Sequence, residues 1–257
     1  MKDALDHKDK ARRARLRLIG IGAAVAALIA GGGVLAVTTL GGGDRDKGSV
    51  ASPGASSAAP APSMSPGKRR TPANEYKLRV VKSDKVKDAI SVGFPQSDRG
   101  AVSAAVRHLQ ELDLLDDTVA EKQLKAIVSK DSPGTVDKRV SDVRKLRERA
   151  GLPPSGSTPP GLSISTQVNA VRVTSADNTG QVLIIWMNYD RFASLPGKAA
   201  DNNPLKGETD YAIYKWEDGD WKLTEEPRYT KSVHGPRAYD PDSPYAYQDM
   251  WRQVTLG

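Results

Sequence analysis

Cysteine is absent from this chain of 257 residues, and histidine occurs only three times. The absence of cysteine excludes disulfide bonds and a lipid-modified cysteine anchor. His7 lies in a basic N-terminal segment, and we expect His234 to be exposed in a loop. His108 falls beside apolar positions of a predicted helix, which favours a surface or partly buried histidine over a catalytic base.

The common sequence motifs of enzyme sites are also missing. The chain has no Gly-x-Ser-x-Gly nucleophile motif, no glycine-rich phosphate loop after a strand and no His-x-x-x-His zinc pair. The best remaining candidate for a base is Asp190, beside Tyr189 at the end of an apolar strand, because burial there would raise its pKa. The interpretation that we favour is that Asp190 begins a polar turn. We therefore predict no catalytic residue and no cofactor.

The sequence supports a metal site no better than it supports an enzyme site. Residues 240–243 alternate oxygen-bearing side chains, which a calcium ion could use, but calcium needs about 6 to 8 oxygen ligands. The spacing of a twelve-residue calcium loop is missing. We expect Asp242 or Ser243 to cap a helix, and we predict no metal.

One long apolar segment is present. Residues 18–40 contain no charged side chain, and a helix of that length would run about 34 Å, enough to cross a bilayer core of about 30 Å. Residues 1–17 carry seven cationic and three anionic side chains, which predicts that the N-terminus is cytoplasmic. We expect a single-pass protein of the cell membrane whose remaining residues are extracytoplasmic. The alternative is a cleaved signal peptide, whose apolar stretch is usually shorter.

Small residues recur within the predicted span. Ala23, Ala27 and Gly31 lie four positions apart, a spacing that lets two membrane helices approach closely. Self-association through this face would make the protein a homo-oligomer. The alternative is a monomeric anchor that is merely rich in alanine and glycine.

The net charge of +7 is concentrated at the N-terminus. Residues 1–17 contribute +4, so the other 240 residues carry only +3, which argues against direct binding of nucleic acid. Residues 41–73 follow the span, and 23 of these 33 residues are Gly, Ala, Ser or Pro. Such a segment cannot bury enough apolar surface to fold, so we predict a disordered tether. We expect residues 74–257 to form one extracytoplasmic domain.

Apolar periodicity predicts three helices at the start of this domain. The first begins after Ser97, the second has the capping-box spacing of Thr118 and Glu121, and the third opens at Ser132-Pro133. The predicted core-facing residues are Val102, Ala105, Val106, Leu109 and Leu112 on the first helix, Ala120, Leu124, Ile127 and Val128 on the second, and Val136, Val140, Val143 and Leu146 on the third.

After residue 160 the period changes to two. Residues 162–173 alternate with a change of phase near Ala170, which predicts a β-bulge, and residues 182–189 predict a strand covered on both faces. Residues 211–216 and 221–223 flank a turn and predict a hairpin. A last helix would open at Ser243-Pro244. The fold class is therefore α+β, with helices on the concave face of a curved, cone-like antiparallel sheet and an extra C-terminal helix.

Two segments resemble known proteins. The run 93–95 followed by 100–105 resembles the start of outer domains in actinobacterial membrane proteins encoded with conjugative elements. The run 215–223 resembles the terminal hairpin of nuclear-transport-factor-2-like (cystatin-like) domains. With the anchor and tether, the layout is similar to inner-membrane assembly subunits of conjugation and type IV secretion systems, over residues 90–225. Residues 231–257 are not part of the usual domain.

Two surfaces are candidates for partner contacts. Cations of the third helix, including Arg144 and Arg147, would suit docking of an acidic partner or of DNA in transit, although a solvated face with pairs four residues apart is the commoner case. Aromatic residues and Met, which are enriched in interfaces, concentrate near the end of the chain. The candidates there are Tyr245, Tyr247, Met250 and Trp251, and packing within the domain is the alternative.

The leading hypothesis is a non-enzymatic assembly subunit of a cell-envelope transfer machine that contacts other protein subunits and the membrane. A different class, an extracytoplasmic ligand-binding or enzymatic cone domain, is distinguished by an open pocket with a polar group at its end. A third hypothesis is a membrane-tethered regulatory sensor that signals through the basic tail.

Overall fold

The computed structural model describes residues 69–194, 201, 204–231 and 233–256. The predicted cytoplasmic tail, the predicted span and most of the predicted tether lie outside these residues. Among the described residues, no helix is both long and apolar enough to cross a bilayer.

Helix α1, Asp98–Glu111, begins where the sequence predicts. The Ser97 hydroxyl accepts a hydrogen bond from the Gly100 amide at 3.0 Å and so caps the first turn. Four of the five residues predicted to face the core are buried, and Leu112, just past the helix end, is partly buried.

Helices α2, Asp117–Ile127, and α3, Gly134–Arg149, are also present, but both predicted caps are wrong. Asp116 caps α2 by accepting from the amides of residues 118 and 119, each at 3.0 Å, because it immediately precedes the helix, whereas Thr118 already lies within the first turn. Ser132 makes no cap. It is buried and accepts from the Glu225 amide at 2.9 Å, which ties α3 to the sheet.

Six strands form one curled, half-barrel sheet in the order β1-β8-β4-β5-β6-β7. All its neighbouring pairs are antiparallel except β1 and β8, which are parallel. The register shifts between Val168 and Ala170, so the predicted bulge is confirmed. The strands are β1 Leu78–Val80, β4 Ser163–Ser175, β5 Val182–Ser194, β6 Leu205–Glu217, β7 Asp220–Thr224 and β8 Arg252–Leu256.

The predicted hairpin between β6 and β7 is confirmed, with a two-residue turn. Asp218 and Gly219 have φ of 51° and 76°, the left-handed conformations that suit a type I′ turn. A second hairpin was not predicted: β2, Lys85–Lys87, pairs with β3, Ile90–Val92. The whole of β2 is exposed, so no apolar alternation marks it in the sequence.

The predicted C-terminal helix is wrong beyond its first turns. Helix α5 spans only Pro244–Gln248, and the chain then turns at Met250, which has a φ of +67°. Val254, predicted on the helix, instead lies in β8 opposite Leu78. The open edge of β4 supplies backbone partners to β8, and this pairing replaces the helical hydrogen bonds.

The two faces of the sheet are covered differently. Helix α1 packs on the concave face, where the main core lies. The C-terminal segment, which includes the short helix α4 (Pro227–Thr230), covers the convex face around Trp186. Strand β5 is therefore buried on both sides, as predicted.

Candidate functional site

A small cavity lies on the concave face, enclosed by α1, α2, α3 and strands β5 to β7. Its volume is about 20 Å³. A site of that size holds about one water molecule. Large side chains such as Met187 and Tyr214, each 1–2% exposed, fill the rest of the concave face here. This cavity therefore has no room for a substrate-sized molecule.

His108 lies at this cavity and is 3% exposed, more deeply buried than expected. Its Nε2 lies 2.8 Å from the Ser91 carbonyl oxygen and its Nδ1 lies 2.9 Å from the Tyr214 hydroxyl. Burial lowers the pKa of His108 to about 4, so the ring is neutral at pH 7. A carbonyl can only accept, so Nε2 carries the proton and Tyr214 donates to Nδ1. Both ring nitrogens are thus engaged in structural hydrogen bonds.

A buried carboxylate, Asp210, lies on the same face of the sheet. It is paired in register with Met187 and is 6% exposed, and burial raises its pKa to about 6. Its Oδ1 accepts from the Tyr211 amide at 2.7 Å, whereas its Oδ2 has no hydrogen-bond partner among the described residues. Arg139 and Arg191 act in the opposite direction and lower this pKa. Asp210 is therefore a buried carboxylate of the concave face whose pKa is raised.

Arg191 and Tyr189 lie near this carboxylate. The Arg191 guanidinium lies 4.9 Å from the centre of the Tyr189 ring, and its Nε donates to the Thr166 hydroxyl at 3.0 Å. Burial raises the pKa of Tyr189 to about 12, so the phenol stays protonated. The group combines a carboxylate, a guanidinium and a phenol, which are the residue types of an acid–base site.

Asp190 does not begin a turn, because β5 continues to Ser194. Its carboxylate accepts from the Asn169 side chain at 3.2 Å and from the Gly207 amide at 2.8 Å. Asp190 therefore fastens the bulged end of β5 to its two neighbouring strands. Its side chain is only partly buried.

The sequence interpretation overlooked Asp210, although a signal for it exists. Within β6, Asp210 shares the two-residue phase of Ala212 and Tyr214, both of which face the concave side. Applying that alternation to the whole strand would have placed a carboxylate in the interior.

Arg147 is not a surface residue, which corrects the proposed docking role. It is 2% exposed, and its guanidinium donates to the carbonyl oxygens of Leu115, Pro153 and Ser157. These bonds join the end of α3 to the two loops beside it. A planar side chain with five donors can satisfy several carbonyls at once, which explains an arginine in this interior position.

Arg144 remains half-exposed, but it is paired. Its Nε donates to Asp117 at 2.9 Å, and Asp117 also accepts from Ser155 and the Gly156 amide. Burial acts to raise the pKa of Asp117, but these donors outweigh it and bring the value to about 2. Arg144 therefore neutralises a buried carboxylate at the start of α2.

The predicted aromatic surface divides into a core residue and three accessible ones. Trp251 is 0% exposed, and its indole donates to the Arg237 carbonyl at 2.9 Å, so it packs within the domain.

Tyr245 and Met250 are 62% and 47% exposed. Tyr247 is partly buried between guanidinium groups of Arg70 and Arg252, at 4.9 Å and 4.2 Å from its ring centre. We call Tyr245, Tyr247 and Met250 the C-terminal aromatic surface.

The predicted calcium alternative finds no support in this part of the chain. Ser243 caps α5 by accepting from the Ala246 amide, as expected. Within the described residues, no cluster of three or more His, Asp or Glu side chains could hold a metal ion. The predicted membrane-packing residues Ala23, Ala27 and Gly31 lie outside the described residues.

The fold and these groups define an α+β domain with a curled sheet, a filled concave face and a C-terminal strap over the convex face. Comparisons of the chain with protein-family models, with characterised proteins and with solved structures found no match.

Proposed function

We propose that this chain is a membrane-anchored, non-enzymatic assembly subunit of a cell-envelope transfer machine of the conjugation or secretion type. Residues 18–40 span the cell membrane with the N-terminus in the cytoplasm, and residues 41–73 tether the outer domain. The outer domain belongs to the cone-like, nuclear-transport-factor-2-like class and acts through protein contacts outside the membrane.

The filled concave face is the observation that carries this proposal. A binding or enzymatic cone domain needs an open pocket, and such pockets usually measure about 300–1,000 Å³. The cavity at the corresponding place has a volume of about 20 Å³. The polar groups beside it, His108 and Tyr214, are engaged with each other. These properties favour a domain that works through its outer surface.

The C-terminal aromatic surface supports protein contacts. Tyr, Met and Arg are enriched at the centres of interfaces, and all three types meet here, since Arg237 lies 5.4 Å from the Tyr245 ring centre. Met250 is displayed on a turn with positive φ, a conformation that costs free energy for a residue with a side chain.

Membrane extraction tests the anchor. We expect the full-length chain to remain in membranes after a carbonate wash at high pH, and a reporter fused after residue 257 to be active only outside the cytoplasm. Release of the chain by carbonate, or a cytoplasmic reporter, would contradict the proposal.

Photo-crosslinking in intact cells tests the contact surface. A photoreactive amino acid at Tyr245 or Met250 should yield discrete adducts with other membrane-complex subunits. The matched control is Lys122, an exposed position on α2. Adducts of equal yield from all three positions, or none from the first two, would contradict a contact role for this surface.

The alternative is an extracytoplasmic ligand-binding or enzymatic domain, and Asp210 is the observation that favours it. Buried carboxylates with raised pKa values cluster at functional sites. Screening small molecules by thermal shift against the full-length chain and Asp210→Asn tests this function. A compound that stabilises the natural chain but not the variant would support the alternative and contradict a purely structural concave face.

A further inference from the structure

A second, larger cavity lies at the margin of the main core, beside β1 and the first turn of α1. It has a volume of about 330 Å³ and is lined by Arg79, Val80, Val81, Lys82 and Arg99. Among the described residues that line this cavity, three are cationic and none is acidic. All three cationic residues are exposed, and none of them forms an ion pair within the described residues.

The sequence that contains these lining residues has the same sign of charge. Residues 77–99 carry six cationic and three anionic side chains, a net charge of +3. Residues 18–257 as a whole carry 31 cationic and 28 anionic side chains, also +3. Residues 77–99 thus carry as much net positive charge as residues 18–257 taken together. Clustered charge of one sign around a concavity attracts ligands of the opposite sign.

The walls of this cavity are held together by a buried serine. Ser103 is 0% exposed. Its hydroxyl accepts from the Val81 amide at 2.9 Å and donates to the Arg99 carbonyl at 2.6 Å. The segment that carries Lys82 and the helical turn that carries Arg99 are thus joined through one side chain. A site whose backbone is fixed before binding loses less conformational entropy when a ligand arrives.

We propose that this cavity binds a phosphate-bearing group, either a free phosphate compound or the headgroup of an anionic lipid. Two guanidinium groups and an ammonium group supply charge-assisted hydrogen bonds, and guanidinium groups match the geometry of phosphate oxygens. The volume accommodates a diphosphate or a phosphomonoester with a small organic part. Val80 and Val81 supply an apolar floor. The proposal is independent of the function proposed above.

Calorimetric titration of the full-length chain with inorganic pyrophosphate tests the proposal. The site variant is Arg79→Gln/Lys82→Gln/Arg99→Gln, and the control variant is Lys122→Gln/Lys206→Gln/Lys231→Gln. The control removes the same charge from exposed positions outside the cavity. We expect the site variant to bind pyrophosphate at least about tenfold more weakly than the natural chain, and the control to bind within about twofold. Both variants should keep the thermal unfolding midpoint, because the replaced side chains are exposed.

A second titration with dihexanoyl phosphatidic acid, kept below its micelle concentration, separates the two sources of phosphate. Tighter binding of this lipid than of pyrophosphate would assign the cavity to a headgroup, and weaker or equal binding would assign it to a free phosphate compound. Failure of both probes to bind at millimolar concentration would overturn the proposal. Equal affinities of the site variant and the control variant would overturn it as well.

Discussion

Replacement of Asp210 by asparagine should stabilise the domain at neutral pH. Burial raises the pKa of Asp210 from an ordinary 3.8 to about 6. A shift of about 2 pKa units corresponds to about 3 kcal/mol of difference between the two protonation states. Asparagine keeps the shape of the protonated side chain and cannot ionise. The variant should therefore avoid most of the cost of burying this charge.

The stability gained by Asp210→Asn should increase as the pH rises. At about pH 2–3, well below the ordinary pKa of 3.8, the carboxyl is neutral in both the folded and the unfolded chain, so burying Asp210 carries no electrostatic cost there. As the pH rises towards 6, the unfolded chain releases the proton more readily than the folded chain does, and stability is lost. The opposing charges of Arg139 on α3 and Arg191 on β5 keep this loss from being larger.

Urea unfolding of the full-length chain in a nonionic detergent, followed by tryptophan fluorescence, measures this effect. The free energy of unfolding of Asp210→Asn should exceed that of the natural chain by about 3 kcal/mol at pH 7.5 and by about 1 kcal/mol at pH 4.5. Asp137→Asn, at an exposed position of α3, should change it by less than about 0.5 kcal/mol at both values. A difference that is the same at both pH values, or a less stable Asp210→Asn at pH 7.5, would refute the reasoning.

Four further substitutions can be measured by the same unfolding assay. Gly100→Ala should cost about 1–3 kcal/mol, because the new Cβ would lie 1.9 Å from a carbonyl oxygen of the preceding loop; an unchanged midpoint would show that the helix start moves freely. Tyr214→Phe should cost about 1–3 kcal/mol, because His108 Nδ1 loses its hydrogen-bond partner, and no loss would contradict a stabilising hydrogen bond between the two side chains. Trp251→Ala should cost about 3–5 kcal/mol and Tyr245→Ala less than about 0.5 kcal/mol; similar losses would contradict their different burial.

The elements that were predictable from the sequence depend on local patterns. Helix α1 follows from apolar spacing and a serine cap, the bulge near Ala170 from a change of phase, and the turn at Asp218-Gly219 from residues that tolerate positive φ. Each of these signals lies within a few residues of the structure that it determines.

The C-terminal strand could not be predicted in this way. Residues 247–254 have helical spacing, but β8 pairs with β4 and β1, whose residues are far away in the sequence. A short apolar segment fits a helix or a strand about equally well, and its long-range partners decide between them.

Which candidate surface residues are exposed also depends on long-range contacts that the sequence does not show. Arg147 and Tyr245 are both polar or amphipathic residues in segments rich in their own type, yet one is buried under two loops and the other is exposed. Burial of Arg147 depends on carbonyl oxygens that only the folded loops bring together. Composition marks both residues as candidates for an interface, but it does not indicate which of them is buried.

The pairing of β1 with β8 has a consequence for the order of events during synthesis. Leu78 lies opposite Val254, so the two partners are 176 positions apart. Strand β1 is made before the rest of the sheet and has no neighbour in it until β8 has been made. A chain interrupted before residue 252 would keep its central hairpins but expose the backbone edges of β1 and β4, and such unpaired edges promote aggregation. Synthesis of β8 is thus the step that protects this domain from pairing the edges of its sheet with those of other copies.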